Sequence, residues 1–382
     1  MKRAAPAAVV ALIGGAIVAV EAALDPTPTA FACLAALSFA IATTWGALLV
    51  LMTGLAARAR WAAAWRRPLE AVIAAQPILC VAMVALLIFA DRLYPWLDGG
   101  PALAPYEARA VELSASWHAL GWLRARSAVY LLVPLMLGEG LTHLSRRLMR
   151  TASPSLDRAR SRVAVAGLVV TFATGSFAAF DWVMALEPSW VSTIYGAAWL
   201  ASGYVSGLAA LILAVACVRL AGGLSDLPAD SVHRIGKLLL AATCVWAYLS
   251  FCQLLLIYIA DLPTESRYFL RRREGVWGAL ATATAAGSFA IPFLALLPVV
   301  CKRRLAFLAP IALVALVGHV LEHAWLVLPA RPDVHPSWLA TAGAFAAAIG
   351  AAITTMVMRS SREVGEVPLG DPLWRRAIAE EA

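Results

Sequence analysis

Residues 30–56, AFACLAALSFAIATTWGALLVLMTGLA, form an uncharged stretch that is almost entirely apolar. At 1.5 Å per residue, a helix of this length measures about 40 Å, which exceeds the roughly 30 Å hydrocarbon core of a bilayer. Inside that core every backbone N–H and C=O must be paired within the protein, and a helix does this within one segment. The stretch therefore predicts a transmembrane helix.

Comparable apolar stretches recur along the chain. Hydrophobic residues make up 62% of the 382 residues and charged residues 14%, a composition far more apolar than that of soluble domains. The sequence predicts an all-α integral membrane protein with a single polytopic domain over residues 1–358 and a cytoplasmic tail over 359–382. The ten predicted transmembrane helices cover 6–24, 30–56, 71–91, 126–146, 162–187, 194–219, 234–260, 275–300, 305–328 and 337–358.

The distribution of basic residues predicts the orientation. With the N-terminus inside, most of the 31 Lys and Arg residues fall in cytoplasmic segments, and the most basic loop spans 146–162. Both termini are then cytoplasmic, and we expect a multi-pass protein of the bacterial inner membrane. The same clusters argue against nucleic acid as a partner, because they lie between apolar stretches and do not form one basic face. The outer Arg cluster at 267–273 could contact lipid headgroups or a partner protein.

Ionisable side chains at membrane depth cost free energy, so they commonly face a cavity, a partner or a proton path. On the predicted ninth helix, the spacings of three and four place His319 on one face with Glu322 and His323. Carboxylates and histidines on both halves of the membrane are typical of proton pathways, and helix–helix polar contacts are the alternative. The candidate proton-path residues are Asp181, Glu187, Tyr248, Gln253, Glu139, His143, Lys237, His319, Glu322 and His323.

The sequence argues against a redox centre of its own. The six cysteines lack the Cys-x-x-Cys spacing of zinc or iron–sulfur sites, so we expect no metal site. His319 and His323 share one helix and cannot ligate one haem iron from opposite sides, so we expect no haem. We also expect no covalently bound cofactor.

Residues 180–196, FDWVMALEPSWVSTIYG, closely resemble the signature Phe-Asp-Trp-x-Met-Ser-Leu-Asp-Pro-His-Trp-x-Ser-Thr-Ile-Tyr-Gly. That signature belongs to the ActF-type membrane subunit of bacterial alternative complex III, in the NrfD-like (polysulfide reductase membrane subunit) superfamily. The chain departs from it at Ala185, Glu187 and Ser189. The resemblance covers most of the chain, most strongly about 175–305, where it continues at Gly236-Lys237-Leu238-Leu239, Trp246-Ala247-Tyr248 and Leu262-Pro263.

The resemblance implies ten helices arranged as two four-helix bundles flanked by the first and last helices. It implies a membrane subunit of a quinol-oxidising respiratory complex, with quinol or quinone in a membrane cavity. The partners would be a sister NrfD-like membrane subunit, an iron–sulfur subunit and multihaem cytochrome c subunits. Asp181 would then accept or pass protons near the outer surface. A stand-alone secondary transporter and a purely structural membrane anchor are the alternatives.

Overall fold

The computed structural model describes residues 5–94, 96–97, 108–109, 111–112, 117, 119–151, 153–220, 222, 229–330 and 338–359. These residues form helices and connecting turns, with no strand among them. The predicted tail 359–382 lies outside this range except for Arg359. The helices are α1 (Ala5–Leu24), α2 (Pro26–Ala56), α3 (Arg60–Ile73), α4 (Gln76–Ile88), α5 (Ala90–Leu93), α6 (Leu120–Thr151), α7 (Pro154–Trp182), α8 (Tyr195–Leu220), α9 (Ala229–Ala260), α10 (Pro263–Arg273), α11 (Gly275–Ala285), α12 (Ile291–Leu296), α13 (Val299–Arg303), α14 (Leu305–Val327) and α15 (Trp338–Arg359).

Within the described ranges, eight helical segments are long and apolar enough to cross a membrane. They coincide with the second to ninth predicted helices, which confirms an all-α protein with multiple membrane-spanning helices. The first and tenth predicted helices correspond to α1 and α15, but their apolar parts are shorter, Ile13–Leu24 and Trp338–Thr354. The count of ten and the side of the termini remain predictions. We call the end of the bundle that carries α10 the outer end, following the predicted orientation.

Helix α2 is the centre of the molecule, because its apolar segment is buried along its whole length. It packs most extensively against α8, at a crossing formed by glycines. A Cβ atom added to Gly46 would overlap the backbone of Gly203, and one added to Gly207 would overlap the backbone of Ala47. Small residues allow membrane helices to approach this closely.

The helices fall into two groups that meet where α2 packs on α8. Helices α3, α4, α6 and α7 pack with α2, whereas α9 and α14 pack with α8, and α11 and α12 pack on α14. Helices α1 and α15 pack mainly on each other and contact α2. The candidate polar residues are thereby divided between the two groups, with Asp181 in the first and His319, Glu322 and His323 in the second.

Two membrane-spanning segments depart from regular α-helix. The predicted helix 71–91 is divided between α3 and α4 by a turn at Ala74 and Ala75, just before Pro77, which has no N–H to continue the ladder. The predicted helix 275–300 contains a π-helical turn at Ala286–Ala290. At this turn Gly287 lies against Gly318 of α14, so the two backbones meet next to His319. The π-turn therefore brings α11 close to the polar residues of α14.

Candidate functional site

Three ionisable residues of α14 lie in the interior of the second helix group. His319, Glu322 and His323 are 0%, 6% and 1% exposed, although α14 is otherwise an apolar helix. They face neighbouring helices because α2 and α8 pack over this part of α14 while α9 and α11 lie on its other sides. The prediction that they share one face is met for His319 and Glu322, whose Nδ1 and Oε2 atoms are 2.6 Å apart.

Glu322 receives hydrogen bonds on both carboxylate oxygens. The Trp246 indole N–H donates to Oε1 at 2.8 Å, and the Ser202 hydroxyl donates to Oε2 at 2.6 Å. His319 occupies the same side as Ser202, with its Nδ1 also 3.0 Å from the Ser202 hydroxyl. A buried carboxylate needs such partners, because an unpaired one costs several kcal/mol, of order 5, in a nonpolar interior. The contacts hold the carboxyl group in one orientation.

The hydrogen-bonded chain continues from Glu322 to α2. The Ser202 hydroxyl is 3.4 Å from His323 Nε2, and His323 Nδ1 is 2.9 Å from the hydroxyl of Ser38. The Trp199 indole N–H donates to the same Ser38 oxygen at 2.9 Å. Hydrogen bonds therefore join four helices, α2, α8, α9 and α14, and the serine, histidine and glutamate side chains among them can pass a proton between α14, α8 and α2.

A cavity of about 750 Å³ reaches this polar chain from the outer half of the membrane. It lies between α9 and α11, whose outer halves make few contacts with each other, whereas α9 packs on α12 and α13 towards the inner end. Most of its walls are apolar or aromatic, and the polar groups are concentrated at Trp246, Gln253, Arg272 and Glu322. Binding sites for small molecules typically have this size and this lining, a mostly apolar wall with a few polar groups.

The cavity opens sideways between the two helices. Tyr248, Phe251 and Leu254 line it from α9, and their side chains are 66%, 59% and 44% exposed. A lipophilic molecule can enter such an opening from the bilayer without crossing water. The innermost end of such a molecule would then contact the Glu322 carboxylate.

Arg272 closes the outer end of the cavity. Its guanidinium is 2.6 Å from a carboxylate oxygen of Glu187 and donates to the carbonyl of Leu326 at 2.9 Å. It lies 3.6 Å from the centre of the Tyr268 ring, which stacks on Trp190 at 3.8 Å. Burial raises the pKa of the Tyr268 hydroxyl to about 12, so this ring stays neutral beneath the guanidinium at physiological pH. These contacts anchor α10 to α14 and to the turn after α7.

The first helix group contains a separate polar site at its outer end. Asp181, 1% exposed, accepts two hydrogen bonds from Arg126, at 2.7 and 3.1 Å. The Tyr130 hydroxyl and the Trp117 indole N–H donate to it at 3.0 and 2.9 Å. Four donors leave this carboxylate fully paired, and the Arg126 guanidinium is covered by the Trp117 ring at 4.0 Å. The side chain of Asp181 is held as one member of a paired ionic site.

No protein-family model and no curated protein sequence matches the chain.

The structure separates the sequence-predicted residues into three sets. Asp181 and Glu187 belong to the two outer ion pairs, and His319, Glu322 and His323 belong to the buried chain. Gln253 and Tyr248 line the cavity, where the Gln253 side chain accepts a hydrogen bond from Ser192 at 3.1 Å. Glu139, His143 and Lys237 are exposed and join none of these clusters.

Sequence reasoning missed the partners that complete each site. Arg126, Tyr130 and Trp117 lie 51 to 64 residues from Asp181. Ser202 and Trp246 reach Glu322 from two other helices. The available signals were the Arg cluster before α11, which contains Arg272, and the Trp246-Ala247-Tyr248 stretch of the resemblance. No group of three or more His, Cys, Asp and Glu side chains suited to a metal occurs in the part of the chain that the structure describes.

Proposed function

We propose that this chain is the membrane subunit of a quinol-oxidising electron-transport complex, and that the cavity between α9 and α11 receives the quinol. The observation that carries the proposal is that a membrane-facing cavity of about 750 Å³ ends on a buried carboxylate linked to two histidines. The resemblance of residues 180–196 to alternative complex III membrane subunits supports the same function. The bacterial inner membrane is the location that this function implies.

A quinol presents an aromatic ring with two hydroxyl groups and an apolar tail. In the cavity, the ring would lie among Trp246, Phe289 and Trp325, and the tail would leave between α9 and α11. One hydroxyl would donate to Glu322, which is placed to take the proton as the quinol is oxidised. His323 and Ser38 extend the route away from the cavity.

Oxidation of a quinol releases two electrons and two protons. The residues described above provide for the protons, through Glu322 and the histidines beside it. The electrons would pass to iron–sulfur and haem groups carried by partner subunits at the outer end, as the resemblance implies. In this arrangement the chain supplies the quinol-facing surface and the proton path, and its partners supply the redox centres.

Binding is testable by fluorescence, because Trp199, Trp246 and Trp325 line the cavity and quinones quench indole emission. The purified chain in lipid nanodiscs is titrated with decylubiquinone, and saturable quenching is expected. Ala281→Phe places a ring in the cavity and is expected to abolish the saturable component. Ala166→Phe, at an exposed position of α7, is the matched control and keeps it. Equal quenching in both variants would refute this site.

The role of Glu322 is tested in the assembled complex. Glu322→Gln keeps the shape of the side chain and, through its amide oxygen, the hydrogen bond from Trp246, but its NH2 group replaces the oxygen that accepts from Ser202, and the side chain can no longer accept a proton. Quinol-dependent electron transfer is expected to fall at least tenfold while quinone binding persists, because general-base assistance typically contributes a factor of about 10²–10⁴. Unchanged turnover would remove Glu322 from the proton path.

Membership of a complex is tested by purification from the native membrane in mild detergent. Co-purifying subunits with iron–sulfur and multihaem c-type spectra are expected. A colourless protein that purifies alone would contradict the electron-transport role and favour a stand-alone transporter.

A further inference from the structure

The outward surface of α6 carries a continuous stripe of exposed residues. Their spacing alternates between four and three, which places them along one face of a helix, as in a seam between two packed helices. All eight are exposed. The stripe consists of Ala125, Val129, Leu132, Met136, Glu139, His143, Arg146 and Arg150.

Glu139 is the unusual member of this stripe because of its depth. Arg126 and Arg146 bracket a segment about 30 Å long, which matches the hydrocarbon core. Glu139 is seven residues from Arg146 and so lies about 10 Å inside the membrane, further than a glutamate side chain reaches. Among the residues that the structure describes, none forms a hydrogen bond or ion pair with it. The exposed large side chains at membrane positions of the adjacent helix α7 are apolar instead, and they include Val165, Val169 and Phe172.

We propose that this face of α6 packs against a transmembrane helix of a different subunit, and that this helix presents a Lys or Arg side chain opposite Glu139. The stripe also carries Arg146 and Arg150 two to three turns further towards the inner end. Charge complementarity therefore predicts a partner helix with a basic residue in its inner half and acidic residues where it leaves the membrane.

Two other occupants fit the stripe less well. Lipid tails offer no hydrogen-bond donor to Glu139, so lipid contact leaves an ionisable group in hydrocarbon at a cost of several kcal/mol, about 3 on the mildest scales. A second copy of this chain would have the same orientation in the membrane. Its Glu139 would then lie at the same depth as the first, and two like charges would meet where water does not screen them.

The partner is identified by photo-crosslinking in the native membrane. A photoreactive amino acid replaces Met136 within the stripe or, as the control, Val169 on α7; both native side chains are 71% exposed. At position 136 we expect a crosslink to a transmembrane segment of another chain that contains Lys or Arg. At position 169 we expect no crosslink to that segment. Crosslinks between two copies of α6, or lipid adducts alone at position 136, would overturn the proposal.

Charge reversal tests the predicted pairing. Because Glu139 is exposed in the isolated chain, Glu139→Lys is expected to leave its folding intact and to reduce recovery of the crosslinked partner at least tenfold in mild detergent. Glu139→Gln should have a smaller effect. Reversal of the basic residue in the partner, from Lys or Arg to Glu, should restore recovery with Glu139→Lys. Partner recovery at the wild-type ratio in Glu139→Lys would refute the pairing, whatever happens to quinone binding.

Discussion

Replacement of Arg272 by Met tests how the outer end of the cavity is held together. The side chain of Arg272 is 1% exposed, and its guanidinium forms an ion pair with Glu187. It also donates hydrogen bonds to three backbone carbonyls, those of Tyr268, Trp325 and Leu326. Methionine can fill much of the aliphatic volume but supplies none of these donors. The variant therefore leaves a carboxylate and several carbonyls buried without their main partner.

The magnitude follows from these contacts. Loss of one member of a buried ion pair typically costs about 3–5 kcal/mol, because the other charge stays buried. Arg271 lies 3.6 Å from Glu187 and is 31% exposed, so it retains part of the attraction. We therefore expect Arg272→Met to lower the free energy of unfolding by about 3 kcal/mol. The surface variant Arg271→Met should cost less than about 1 kcal/mol.

The measurement is reversible unfolding of the purified protein in mixed detergent, followed by tryptophan fluorescence. A second substitution, Glu187→Gln, separates the ion pair from the packing, because it removes the stranded carboxylate. The double variant Arg272→Met/Glu187→Gln should be more stable than Arg272→Met alone. The reasoning fails if Arg272→Met stays within about 1 kcal/mol of wild type, or if the second substitution simply adds its own cost.

Other positions give sharp contrasts. Gly46→Ala should strongly reduce the yield of folded protein, because the added Cβ atom would overlap the backbone of α8. Gly15→Ala is the control and should be neutral, because its Cβ atom would meet no atom within 4 Å. The yields of the two variants are compared by size-exclusion chromatography. Asp181→Asn should lower the thermal midpoint, because Arg126 loses its charged partner. The same variant should lower the proton release per electron of the complex, and unchanged proton release would remove Asp181 from the proton route. Tyr130→Phe removes only one of the four donors to Asp181 and should cost about 1 kcal/mol in unfolding experiments.

The sequence predicted the positions of the membrane-spanning helices well, because the length of an apolar stretch is itself the physical requirement for crossing a bilayer. It placed residues 305–328 within a helix that the structure ends at Val327. It missed the start of α3 at Arg60 and the turn that separates α3 from α4. Residues 60–70 are amphipathic and basic, so their helix continues below the apolar stretch that defined the prediction.

The candidate site was predicted only in part, since periodicity tells which residues share a helix face but not where that face points. The i,i+4 pair Glu139 and His143 resembles the pair His319 and His323 in spacing. The first pair faces outwards, and the second is buried under α2 and α8. The partners Ser202 and Trp246 come from other helices, and their contacts depend on packing that no local pattern encodes.

The division of the polar residues between two helix groups constrains how protons could cross the membrane. The Asp181 site lies in the first group and is closed by Arg126, Tyr130 and Trp117, while the Glu322 chain lies in the second and ends at Ser38 and Trp199. The helix α2 runs between the two groups, and its Trp45 ring contacts both Trp182 and Trp199. An indole carries a single donor and no acceptor. A route that used both sites would therefore need water or a side-chain rearrangement beside Trp45, and this position is where a gate against backflow would act.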